Sequence, residues 1–86
     1  MPTISFFYGV VIQMFWADRA PPHFHALYGE YEALINIKTL EILQGRLPNR
    51  ALALVLEWAN NHRLELMKDW DLCAKMQHPK KIAPLQ

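Results

Sequence analysis

The stretch His23-Phe24-His25-Ala26-Leu27-Tyr28-Gly29-Glu30-Tyr31-Glu32-Ala33-Leu34-Ile35-Asn36-Ile37 decides the fold. Strand side chains alternate between two faces, so residues two apart share a side. His23–Tyr28 reads as one strand and Tyr31–Ile37 as the next, with Gly29-Glu30 as the turn of a hairpin. Phe24, Ala26 and Tyr28 form one face with Tyr31, Ala33, Ile35 and Ile37. His23, His25, Leu27, Glu32, Leu34 and Asn36 form the other. The first set is apolar enough to sit under helices, which leaves the histidines on an open face.

Working upstream, Thr3–Tyr8 and Val10–Ala17 are apolar runs suited to strands, flanking Gly9 as a tight turn or bulge. Asp18-Arg19-Ala20-Pro21-Pro22 is a loop, because consecutive prolines cannot donate ladder hydrogen bonds. Downstream, Leu40–Leu43 is a short fifth strand before Gly45. Pro48 and Asn49 then open a helical half, with Asn49 as the N-cap residue. Ala51 to Leu56 is apolar nearly all round. One helix from Asn49 to Met76 would run about 42 Å, so a break is expected near Asn60-Asn61-His62. Pro79 and Pro84 make His78–Gln86 an extended tail. The expected architecture is α+β: an antiparallel sheet of four to five strands (1–44), packed on one face by two C-terminal helices (48–77), with a tail at 78–86. It is a two-layer single domain spanning residues 1–86.

Composition narrows the function. Eighty-six residues exclude a multi-domain enzyme, and a net charge of +1 excludes a bulk polyanion binder. Of the 17 charged residues, only Asp18 and Arg19 precede Glu30. The single cysteine, Cys73, excludes an internal disulfide and favours a reducing cytoplasm. The apolar Ile4–Ala17 run lacks the basic start of a signal peptide and is too short to span a membrane. No Gly-rich phosphate loop, Cys-x-x-Cys pair, Ser nucleophile elbow or zincin helix occurs, and no cofactor is expected.

Three readings compete for the His-Phe-His unit, whose imidazole-bearing residues sit about 6.5–7 Å apart at Cα on a strand. The first is metal-independent acid–base chemistry on RNA. Two imidazoles near neutral pKa move the protons and Arg46 holds the phosphate. The second is a metal site through His23 and His25, with Glu32, Asp18, His62 or Cys73 as third ligand. The third gives the histidines no chemistry and makes the domain a protein-interaction module. A homodimer or a partner would then cover Leu27, Leu34 and the surplus apolar face of the first helix. Trp58 and Trp70 read as separate core anchors, Cys73 as a buried hydrophobe, and Lys80-Lys81 as a solvated tail.

Several motifs also carry a resemblance. Met1-Pro2-Thr3-Ile4-Ser5 with Tyr8-Gly9, and Pro21-Pro22-His23-Phe24-His25-Ala26 with Tyr28-Gly29, are similar to a bacterial family labelled domain of unknown function four-one-six-zero. So are Tyr31-Glu32-Ala33, Gly45-Arg46-Leu47-Pro48, and His62-Arg63 with Glu65-Leu66 and Trp70. Phe6 stands where a basic residue is common in that family. The resemblance implies a toxin–antitoxin-like gene pair, with this chain as the toxin and a small cognate partner protein. By analogy with small ribonuclease toxins it supports the RNA reading of His23 and His25.

Overall fold

The computed structural model describes residues 2–86; Met1 of the opening motif lies outside them. Five antiparallel strands follow in chain order: β1 (Thr3–Phe7), β2 (Val10–Gln13), β3 (His23–Tyr28), β4 (Tyr31–Asn36) and β5 (Ile42–Gly45). Each pairs with its chain neighbour, so the sheet is a meander. Helices α1 (Asn49–Asn61) and α2 (Arg63–Ala74) follow, giving the expected α+β fold.

The β3–β4 hairpin has the anticipated register, with Tyr28 opposite Tyr31, Ala26 opposite Ala33 and Phe24 opposite Ile35. Gly29 takes φ +58, the positive value that a two-residue hairpin turn needs at its first central position. Val10 and Ile12 of β2 continue the same apolar face toward β1. Against it lie Ala51, Val55, Trp58 and Ala59 of α1, and Leu66 and Cys73 of α2. Trp58 is fully buried, with its ring 5.3 Å from Phe7 and 5.9 Å from Phe24.

Four local features depart from the sequence reading. β2 stops at Gln13, because the chain turns away from the sheet at Met14. The Met14 N–H still bonds the Pro2 carbonyl beside β1, but beyond it the Ala17 N–H is taken by Cys73 at the end of α2. β5 begins at Ile42 and not Leu40, because Leu40 closes a turn: its N–H bonds the Asn36 carbonyl, while Asn36 Oδ1 accepts the Lys38 and Thr39 N–H groups. Pro48, not Asn49, occupies the N-cap, and its carbonyl accepts the Leu52 N–H. The tail is anchored: Ile82 is buried, its N–H bonds the Ile4 carbonyl, and Trp58 Nε1–H bonds the Ala83 carbonyl. The helix break falls at His62, as expected, and the Arg63 guanidinium donates to Asn60 Oδ1 across it and to the Lys38 carbonyl in the β4–β5 connection. No helix among the described residues is long and apolar enough to cross a membrane.

At Gly45, β5 runs close against the β4 backbone. A Cβ there would lie 2.1 Å from the Glu32 carbonyl oxygen, and φ is +79. Both the clash and the backbone conformation oppose any side chain. Gly45→Ala is expected to destabilise by at least about 1–3 kcal/mol from strain alone, read as a lower urea midpoint with unchanged slope.

Candidate functional site

The site is built on the first residues of β3 and on the loop before it. His23 and His25 project from the same side of the strand, their ring centroids 5.3 Å apart. The loop from Met14 to Pro22 leaves β2 and returns over this side. Its two ends are fixed by the Met14 and Ala17 N–H bonds already described and by the Ile37 N–H on the Pro22 carbonyl. Asp18 is thereby carried to the histidines. Its Oδ1 accepts the Arg19 N–H, while Oδ2 lies 3.0 Å from His23 Nε2 and 3.2 Å from His25 Nε2.

The outer nitrogens of both rings are committed. His23 Nδ1–H donates to the Pro21 carbonyl at 2.8 Å. That carbonyl can only accept, so Nδ1 carries a proton. His25 Nδ1–H donates to Glu32 Oε2 at 3.0 Å in the same way. Both Nε2 atoms are left facing the Asp18 carboxylate, which also can only accept. Positive charge is therefore needed between the rings and Asp18. It is supplied either by Nε2–H donors of protonated rings, or by a metal ion that replaces those protons and takes both Nε2 atoms and Oδ2 as ligands.

The metal fits the spacing. One ligand atom from each of Asp18, His23 and His25 can be chosen so that all lie within 4.8 Å of one another. In a tetrahedral zinc site, ligand atoms stand about 3.4 Å apart. The supporting contacts also fit. A metal-bound imidazole usually gives its other N–H to a carboxylate or a backbone carbonyl, and here Glu32 and Pro21 supply one of each.

The family model described as Domain of unknown function (DUF4160) matches residues 9–71. The chain belongs to this family. No curated protein and no solved structure matches it. The part of the chain that matches DUF4160 contains the loop, both histidines and Glu32, while β1 and the tail lie outside it.

Burial separates the two histidines of this DUF4160 chain. The sequence places both on an open face, but the His23 side chain is only 5% exposed. The loop covers it, and the Trp70 ring of α2 lies 5.2 Å away. The His25 side chain is 13% exposed, with Phe15 edge-on at 4.5 Å. Asp18 is the most open of the three. Burial by itself would push its carboxyl up, but the His25 hydrogen bond, the Arg19 N–H and the charge and hydrogen bond of His23 together hold it low. Its contribution to stability is therefore present above its ordinary pKa and is lost as the pH falls through the lowered value.

The other expected residues lie elsewhere. The Arg46 guanidinium stacks over the Tyr31 ring, 5.3 Å from its centroid, and alternation puts that ring on the sheet face opposite His25. His62 sits at the helix junction, bonded to Glu65 and beside Trp58. Cys73 is buried and its thiol is pushed up by that burial and by Asp69. Asp18 belongs to the set of third ligands open in the sequence, and only the path of its loop selects it.

Asp69 is a buried carboxylate outside the site. Oδ1 accepts the Lys80 N–H, which pins the tail, while Oδ2 has no partner among the described residues. Burial raises its pKa, with Glu65 adding to the effect and the Lys80 N–H opposing it. The folded state then holds this proton to higher pH than the unfolded chain, so stability falls as the pH rises between the two values. Asp69→Asn is expected to flatten that fall. Thermal melts from pH 4 to pH 8 on both proteins check it, the variant gaining on the wild type as the pH rises.

Proposed function

We propose that this domain is a transition-metal centre in which Asp18, His23 and His25 hold one divalent ion of the zinc class. The observation that carries the reading is the convergence of one ligand atom from each of Asp18, His23 and His25, with the rings oriented by Pro21 and Glu32. Three protein ligands leave a coordination position free, which is the pattern of catalytic zinc sites rather than structural ones. The reaction class that suits it is hydrolysis of a phosphodiester in RNA. Held by Asp18, His23 and His25, such an ion would supply a water of lowered pKa, toward about 7, and positive charge for the phosphoryl oxygens. It would do the work first assigned to free histidines. The geometry favours it over metal-independent acid–base catalysis, since His23 is buried and Arg46 is turned toward Tyr31.

The experiment is elemental analysis of protein purified without a His-tag, exposed to zinc and dialysed. About one equivalent per chain supports the centre, and less than about a tenth of an equivalent contradicts it.

A second reading rests on a different observation. Phe6 and Tyr8 of the β1–β2 hairpin and Leu64 of α2 are 61%, 59% and 81% exposed. Such surface suits a partner, either a second copy or the small cognate protein of a bacterial toxin–antitoxin-like pair acting in the cytoplasm. Light scattering of the chain, alone and with the neighbouring gene product, tests this; a monomer in both cases argues against it.

A further inference from the structure

Beside the three converging ligands, on the Glu32 side of His25, the open face of the sheet forms a cavity of about 250 Å³. It is lined by His25, Glu32, Leu34, Gln44 and Gly45. The cavity follows from the register. His25, Leu34 and Gln44 lie opposite one another on three adjacent strands, and Glu32 precedes Leu34 by two residues on the same face. Leu34 gives a half-buried apolar floor, flanked by a carboxylate, an amide and an imidazole. Ligand pockets commonly run about 300–1,000 Å³, so this one suits a single planar fragment rather than a whole oligonucleotide.

We propose that this cavity seats the guanine base of a single-stranded RNA, a reading that rests on the metal centre because the two share His25. The polar groups choose the base. Glu32 accepts from His25 through Oε2 and, as a carboxylate, keeps further lone pairs for other donors. Guanine offers adjacent N1–H and N2–H donors to such an acceptor, with O6 beside them for an amide N–H of Gln44. Adenine would set its N1 lone pair against the carboxylate, uracil brings one N–H, and cytosine sets its N3 lone pair there. Unstacked bases in single strands expose this edge, and proteins read them by such contacts over an apolar or aromatic surface. The base seat and the ion are then separated by one imidazole. Glu32 has two duties, orienting His25 and reading the base.

The test uses the zinc-loaded full chain, titrated with each of the four ribonucleoside monophosphates and followed by NMR. Guanosine monophosphate should shift the Gln44 side-chain amide and the Leu34 methyls. It should bind about tenfold or more tightly than the adenosine analogue, in line with the discrimination that a bidentate base contact gives. Gln44→Ala, at an exposed position that holds no metal, should weaken guanosine monophosphate by about tenfold and leave zinc stoichiometry unchanged. Zinc bound at one equivalent with equal or absent response to the four nucleotides overturns the base seat alone. Failure of the chain to take up zinc overturns the metal centre, and the seat as part of it.

Discussion

Zinc at one hundred times its dissociation constant is expected to stabilise the wild-type chain by about 2.7 kcal/mol, and Asp18→Ala to abolish the effect. For a domain of this size that energy corresponds to a rise in Tm of roughly 10–20 °C. Asp18 suits the comparison because it lies in a loop and is the most open of the three ligands. Its loss leaves His23 and His25 in place and removes the only anionic ligand. His25→Ala should behave similarly. His23→Ala also removes a buried ring against Trp70, so its apo stability should fall as well, a change that the zinc-dependent shift alone does not measure. Glu32→Gln leaves all three ligands but weakens the orientation of His25, for which about a 10–100-fold loss of metal affinity is expected. Differential scanning calorimetry with and without zinc reads all four variants. A zinc-dependent shift that survives in Asp18→Ala would place the ion elsewhere.

The second large effect belongs to the core. Trp58→Ala is expected to cost about 3–5 kcal/mol or more. Domains of this size have a total stability of only about 4–13 kcal/mol, so the variant should be largely unfolded when warmed. Trp58 fills the space between Phe7 of β1 and Phe24 of β3, and it also donates to the Ala83 carbonyl. Truncation therefore opens a cavity under the sheet and frees the tail together. Trp58→Phe separates the two roles. It keeps most of the volume and loses the hydrogen bond, so its effect should concentrate in the tail, visible as faster amide exchange at Ile82. A Trp58→Ala protein with a Tm within a few degrees of wild type would refute this account of the core.

How much of this was legible can be argued from particular residues. The β3–β4 hairpin was readable because Phe24, Ala26, Ala33 and Ile35 alternate strictly, and a slip of one residue would have put polar groups in the core. The helix break was readable from length and from the polar Asn60-Asn61-His62 cluster. The end of β2 was not. Met14-Phe15-Trp16-Ala17 is as strand-like as Val10–Gln13, and the chain departs toward α2, where the Cys73 carbonyl, far away in sequence, accepts the Ala17 N–H. The tail was also opaque, since a proline-bearing segment gives no local sign that Ile82 will lie against Ile4.

The candidate site was half legible for the same reason. His23 and His25 are two residues apart on one strand, so their shared face is a local property. Asp18 is five residues before His23, across a loop whose path depends on contacts with α2. Proximity along the chain gave Arg46 and His62 no advantage either, and packing turned Arg46 toward Tyr31 and His62 toward Glu65. The burial of His23 has a similar origin, because its cover comes from Trp70 and the loop rather than from its strand neighbours.

The most direct test of the central claim is to follow the imidazole nitrogens of uniformly 15N-labelled protein by long-range NMR while zinc is added. The account predicts that Nε2 of both His23 and His25 takes a metal-bound shift together at one equivalent, while both Nδ1 positions stay protonated on Pro21 and Glu32. Nε2 resonances that do not move with zinc, or that move for one ring only, would contradict it.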